Sequence, residues 1–301
     1  MHRAVIAGFV IVTVAAVCAA GIGPSFAGND EVVCGNAELV APGTISTKLS
    51  EVRLTVSPDG SRMLWGTIGW DGGAGGLDIW ERRRKEDGRW LEPLPVSFNS
   101  AGNDFDPSFA PDGSGVYFFS NRKEGRGGDD LYFAPFDHAA GKYGVAQNLG
   151  PPVNTPQNEW APMVSPDGER LLFSSDGHRG RGMQDLFVAR RSEAGWGAVE
   201  SIGDVNGPAD DFDGTFLPDG ESIVFAVGNA QEERSDLYVS ERRNGRYSAP
   251  RRLGPAANAP ETLNFGPSIS PAHPDVLFFS SHREGLTRGR LDIYRIELCA
   301  K

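Results

Sequence analysis

Positive charge is scarce in this chain. Among 301 residues, 29 are Lys or Arg against 40 Asp or Glu, a formal net charge of −11. Such a balance suits neither nucleic acid nor an anionic membrane surface, and neither is expected as a partner. Cysteine is rarer still, with three residues, and histidine has five. The histidines show no metal-ligand spacing, and no serine elbow or phosphate-cradling glycine motif is present. Beyond Ala27 no apolar run approaches the roughly 20 residues needed to cross a bilayer.

Turn formers are abundant instead, with Gly 39 and Pro 21. Regular apolar runs between them rule out disorder and point to many short strands. The N-terminus reads as an export signal: His2 and Arg3, an apolar or small-residue run from Ala4 to Ala20 broken by Thr13, then Pro24-Ser25-Phe26-Ala27. Small residues three and one before the cut predict cleavage after Ala27, giving a signal peptide over 1–27 and a mature chain over 28–301. An uncleaved anchor over Ala4–Ile22 is the alternative, and Cys18 lacks a good lipoprotein context. Loss of the one Arg in the leader takes the formal charge to −12.

A repeat of about 53 residues organises the rest. Ser57-Pro58-Asp59-Gly60, Ala110-Pro111-Asp112-Gly113, Ser165-Pro166-Asp167-Gly168 and Leu217-Pro218-Asp219-Gly220 recur with prolines 53, 55 and 52 residues apart. A degenerate fifth copy, Ser270-Pro271-Ala272-His273-Pro274-Asp275, follows after 53. Short apolar runs such as Val116–Ser120, Leu171–Ser175 and Val276–Ser280 come after the turns and read as strands. A loop rich in Gly and Arg leads to a third strand opening on Asp78, Asp130, Asp185, Asp236 and Asp292, each followed by Leu or Ile and an aromatic. A fourth carries an aromatic and, six residues on, an aliphatic: Trp90 and Val96, Tyr143 and Leu149, Trp196 and Ile202, Tyr247 and Leu253.

Four strands per unit, with Pro-Asp-Gly as the tight turn between the first two, make a propeller blade. Five units span roughly 44–98, 99–153, 154–205, 206–257 and 258–298, so the expected fold is all-β, a five-bladed β-propeller. Over about 44–296 these motifs resemble the Pro-Asp variant of the WD-like repeat found in TolB-like propellers of bacterial envelopes. The chain departs from TolB itself in its longer repeats, their number, and the lack of a recognisable N-terminal α/β domain.

The fifth copy ends without a fourth strand, whereas Cys34–Val40 has fourth-strand character and no blade of its own. The N-terminal strand is therefore expected to complete the last blade. After leader removal only Cys34 and Cys299 remain, and closure lays their strands side by side, predicting a disulfide in an oxidising compartment. The chain-entropy model values so long a loop at on the order of 4 to 5 kcal/mol. Two free thiols are the alternative.

Seven residues before each repeat proline stand Glu51, Asp104, Glu159 and Asp211, with Asn264 in the fifth copy. Phe105, Trp160, Phe212 and Phe265 follow, and period-two alternation turns acid and aromatic opposite ways. The acids then face the channel mouth or the backbone of neighbouring loops. At a mouth they would suit Ca²⁺ or a hydroxyl-rich or cationic ligand. Bonded to backbone N–H groups they are structural, the preferred reading, because a catalytic site ought to break the repeat symmetry. No cofactor or metal is assigned: Asp210-Asp211-Phe212-Asp213-Gly214 lacks the spacing and distal Glu of an EF-hand calcium loop.

The loops do differ. Copy two carries Arg122 within Asn121–Arg126, copy three His178 and Arg179, and copy five His282 and Arg283; copy one has Trp70-Asp71-Gly72-Gly73 and copy four Asn229 with Glu232-Glu233-Arg234. These residues and the four acids form the candidate ligand-binding set on the loop face, with solvated loop charge as the alternative. The resemblance implies an interaction scaffold, and the leading reading is a non-catalytic propeller, periplasmic or secreted and expected to be monomeric, that binds an envelope protein or a polysaccharide through the loop face. The runner-up is a glycan-active hydrolase or lyase with carboxylates in the central funnel, on analogy with other five-bladed propellers.

Overall fold

Each Pro-Asp-Gly turn closes an antiparallel hairpin. The computed structural model describes residues 32–193, 195–229 and 234–299, so the leader and Glu232-Glu233 lie outside the described residues. Gly60, Gly113, Gly168 and Gly220 donate to the carbonyls of Ser57, Ala110, Ser165 and Leu217 at 2.8 to 2.9 Å, and all four glycines have positive φ. Asp59 supports its turn by accepting from Ser57 Oγ at 2.5 Å and Ser61 N at 3.0 Å. The repeated Asp is thus a turn residue.

Five antiparallel sheets result. The first blade runs outward from Ser50–Val56 through Arg62–Ile68 and Leu77–Arg83 to Leu94–Pro95. The second contains Asp104–Phe109, Gly115–Ser120, Asp130–Asp137 and Gln147–Asn148, and the third Glu159–Val164, Arg170–Ser175, Asp185–Ser192 and Gly195–Ser201. The fourth contains Asp211–Phe216, Ile223–Asn229, Arg234–Ser240 and Arg251–Arg252. In the fifth, Leu263–Ser270, His273–His282 and Asp292–Leu298 are completed by Val33–Leu39 from the N-terminus, paired Cys34 to Glu297 and Leu39 to Tyr294. Cys34 and Cys299 are disulfide-bonded with Cα atoms 5.1 Å apart, so the ring is closed both by hydrogen bonds and covalently.

Only the third and fifth blades have a long fourth strand, seven residues in each. In the second, the predicted strand is split, Tyr143 pairing with Phe136 and Gln147 with Phe133; in the fourth, Arg246–Tyr247 pairs with Arg242–Arg243 apart from the main sheet. Outermost strands lack a partner on one side, which leaves them free to break where loops intervene.

Apolar side chains from facing sheets hold neighbouring blades together. Leu64 and Ile79 meet Val116 and Phe118; Leu172 and Leu186 meet Phe216 and Phe225; Val224 and Leu237 meet Leu277 and Phe279; Phe278 and Ile293 meet Leu54 and Trp65. Each such side chain contributes about 1.5–3 kcal/mol by leaving water.

A recurring Asn locks four of the five entering loops to the preceding blade's third strand. Asn99, Asn154, Asn206 and Asn258 accept from and donate to the backbone of Ile79, Leu131, Leu186 and Leu237 at 2.8 to 3.1 Å. At ring closure Ser46 Oγ donates to Ile293 O at 3.3 Å.

Candidate functional site

Loops between second and third strands share a face with the loops entering the next blade, because the two touch. Gly128 N donates to Gln157 O at 2.8 Å, Glu159 N to Asp129 O at 2.8 Å and Glu51 N to Leu291 O at 3.0 Å. The approach is so close that a Cβ on Gly127 would lie 2.1 Å from Gln157 O, and one on Gly289 1.8 Å from Leu49 O. Close backbone contact between blades is what the glycine-rich loops provide. The third-strand acids shape the same loops: Asp130 accepts from Arg126 N and Gly127 N, Asp185 from Arg181 N and Gly182 N, and Asp292 from Arg288 N and Gly289 N.

The four entering-strand acids lie beneath these loops, at most 2 % exposed. Each accepts from the backbone N–H four residues earlier: Glu51 from Thr47 at 3.1 Å, Asp104 from Ser100, Glu159 from Thr155 at 3.0 Å and Asp211 from Gly207 at 2.5 Å. Thr155 Oγ1 and Ser175 Oγ also donate to Glu159, at 2.7 and 3.0 Å. Asn264 takes the equivalent place, donating to Thr262 Oγ1 and accepting from Ser281 Oγ. Alternation therefore turns the acids toward loop backbone, not toward an open mouth. Burial outweighs these hydrogen bonds and raises Glu51 to about 8, Glu159 to about 7 and Asp211 to about 6.

The basic loop residues divide. Arg122 bonds Phe98 O at 3.0 Å and Asp104 at 2.5 Å, with its guanidinium 4.8 Å from the Tyr132 ring centre. Arg283 repeats this in the fifth blade, donating to Ala257 O at 2.5 Å and lying 5.0 Å from the Tyr294 ring. His178 Nε2 donates to Val153 O at 2.9 Å beside Phe173 and Phe187, and in the first blade Trp70 stacks on Trp80 at 4.2 Å. These four fill one structural slot. Arg179 and His282 are exposed, His282 bonding Arg290 O at 2.9 Å.

The position two residues beyond each acid was missed. Arg53, Asp106, Ala161, Asp213 and Gly266 all adopt positive φ, between 50° and 59°, each at a break in the register of its inner strand. Arg53 Nη2 reaches across the channel to Ala161 O at 3.4 Å and Gly214 O at 3.2 Å, while its buried Nε and Nη1 have no protein partner. Burial, reinforced by the charge of Asp213 and opposed by Arg53, raises Asp106 to about 8; burial also raises Asp213, against Arg53 and the Gly266 N–H. Unlike the outer acids, this ring breaks the repeat symmetry. The signal was available in the residues five before each repeat proline.

Toward the turn face the channel widens into an apolar hollow of about 230 Å³ lined by Phe109, Met163, Phe216 and Ile269 and by repeat prolines. Among the described residues no group of three or more His, Cys, Asp or Glu is placed to hold a metal ion.

No protein-family model and no curated protein matches the chain. Solved structures do. A TolB-type protein from Agrobacterium tumefaciens is 17% identical, with 83% of this chain and 84% of that one covered, at a TM-score of 0.51. TolB from Acinetobacter baumannii is 14% identical, covering 83% of this chain and 55% of that one at 0.47. A periplasmic gluconolactonase from Pseudomonas aeruginosa is 17% identical, covering 80% and 70% at 0.48. At such identities the likeness is one of fold alone.

Proposed function

We propose that this chain is an exported, non-catalytic propeller that serves as a binding scaffold in the bacterial envelope, acting as a monomer and docking a protein on its loop face. The leader and the disulfide support an oxidising, extracytoplasmic location, periplasmic or secreted. One observation carries the docking reading: the four entering-strand acids are consumed within the loop framework, while the third- and fifth-blade loop tips expose Arg179, Arg181, Arg288 and Arg290 beside Met183 (68 % exposed) and Leu286 (62 %). Arg and Met are enriched in protein interfaces, and exposed cations on a chain of net −11 favour an acidic partner surface.

The hydrolase reading needs two carboxyls beside an open pocket, about 5–9 Å apart. Glu51, Asp104, Glu159 and Asp211 are each tied to their own loop, and Asp106 and Asp213 are 6 and 7 % exposed. Binding is therefore preferred to hydrolysis.

The test is photo-crosslinking in cells from a reactive residue at Met183, in wild type and in an Arg179→Glu/Arg181→Glu variant. A protein captured by wild type and lost from the folded variant supports loop-face docking. Equal capture by both removes the role of the arginines, and no capture by either defeats the scaffold reading.

A further inference from the structure

On the turn face, two of the gaps between blades are plugged by an arginine four residues after the repeat proline. Arg62 lies over the Phe136 ring at 3.4 Å, with Phe109 and Tyr143 each at 5.6 Å. Arg170 lies 5.4 Å from the Phe216 ring, donates to Gly220 O at 2.6 Å and faces Glu221 at 3.3 Å. The first gap to the second blade and the third to the fourth are closed in this way.

The second blade has Gly115 at the same position. A Cβ there would stand 2.3 Å from Ala134 O and 2.6 Å from the Phe133 ring, so no plugging side chain fits. Between the second and third blades a groove of about 800 Å³ remains open, within the range of small-ligand sites. Its floor is aromatic: half-buried Phe133 presents its ring to the groove, backed by Tyr117 at 4.7 Å, and Trp196, 6.1 Å from Tyr117, shows only its margin. Arg191 lies 4.2 Å over Trp196 and donates to Gly168 O at 3.2 Å. Gln147, Asp112, Asp167 and Glu169 stand exposed along the rim.

We propose that this groove binds a neutral or amino-bearing oligosaccharide. A sugar ring sets apolar C–H faces against aromatic side chains and turns its hydroxyls outward to carboxylates and amides, the combination present here. Three rim carboxylates against one arginine, already engaged, repel a polyanionic chain. Strand addition by a peptide needs a length of open ladder, whereas the second blade's outer strand here is two residues long. The groove opens on the turn face, so the site is separate from the loop-face surface and goes beyond it.

The test titrates the intact, disulfide-bonded protein with chitohexaose, its fully deacetylated counterpart and cellohexaose, by calorimetry and tryptophan emission. Saturable binding of at least one sugar is expected, weakened at least tenfold in a Gln147→Ala/Arg191→Ala variant whose two changes are both at exposed positions. The emission change should disappear in Trp196→Phe. Absence of saturable binding to all three sugars at millimolar concentration overturns the proposal, as does binding that the double variant leaves unchanged.

Discussion

The guanidinium of Arg53, on the first blade, donates through Nη2 to the carbonyl of Gly214, on the fourth, at 3.2 Å across the channel. Asp106 and Asp213 hold the equivalent places on the second and fourth blades, so a fully buried cation is set among two nearly buried carboxyls. Arg53→Met removes the donor to Ala161 O and Gly214 O and the positive charge that opposes the upward shift of both carboxyls, and is expected to cost about 1–3 kcal/mol of stability. The triple variant with Asp106→Asn and Asp213→Asn should recover part of that loss. Denaturant unfolding midpoints measure both, and a triple no more stable than the single would show that the carboxyls do not depend on Arg53.

Stability should fall as pH rises from about 5 to 8. Glu51, Asp106, Glu159 and Asp211 are raised in the folded chain to about 8, 8, 7 and 6. Between the ordinary carboxyl range and those values the folded state binds protons that the unfolded state has released, so raising pH favours unfolding. Unfolding free energies at pH 5, 6, 7 and 8 should show the decline, with a shallower slope in Glu159→Gln. A flat or rising curve would contradict it.

Removing the Cys34–Cys299 bridge opens a loop with a sequence separation of 265 residues. The Cys34→Ala/Cys299→Ala variant should lose on the order of 5 kcal/mol by the chain-entropy model. The ring should still form, because Val33–Leu39 keeps its hydrogen bonds to Asp292–Leu298. Thermal unfolding of wild type with and without reductant offers an independent reading of the same quantity.

Asn206→Ala should cost about 1–3 kcal/mol, since Leu186 N and O lose their side-chain partner in a buried setting. Hydrogen exchange at Leu186 should accelerate while amides of the first blade stay protected. Uniform acceleration throughout would mean the clasp serves the whole ring.

The blade count, the turn type and the closing strand were legible because each follows from local chemistry repeated at a fixed spacing. Pro-Asp-Gly demands one turn wherever it stands, and an orphan strand at one end matches a missing one at the other. The candidate site was less legible, since Arg122, His178 and Arg283 look alike in sequence to Arg179, an exposed loop cation. What separates them is a slot between two rings and a carbonyl on another loop, a relationship between distant segments. Arg53, Asp106 and Asp213 were hidden for a further reason: alternation along a strand fails at a break in register, and each sits on one.

Among the described strands, the one that completes the fifth blade is the first in the chain and pairs with the last. A chain emerging N-terminus first carries Val33–Leu39 unpaired until Asp292–Leu298 has followed it. A product halted one blade short would present two bare sheet edges and a solitary thiol at Cys34, the features that draw proteases and thiol-dependent quality control to unfinished proteins. The fold thereby ties the pairing of one strand, Val33–Leu39, to the arrival of another more than 250 residues later.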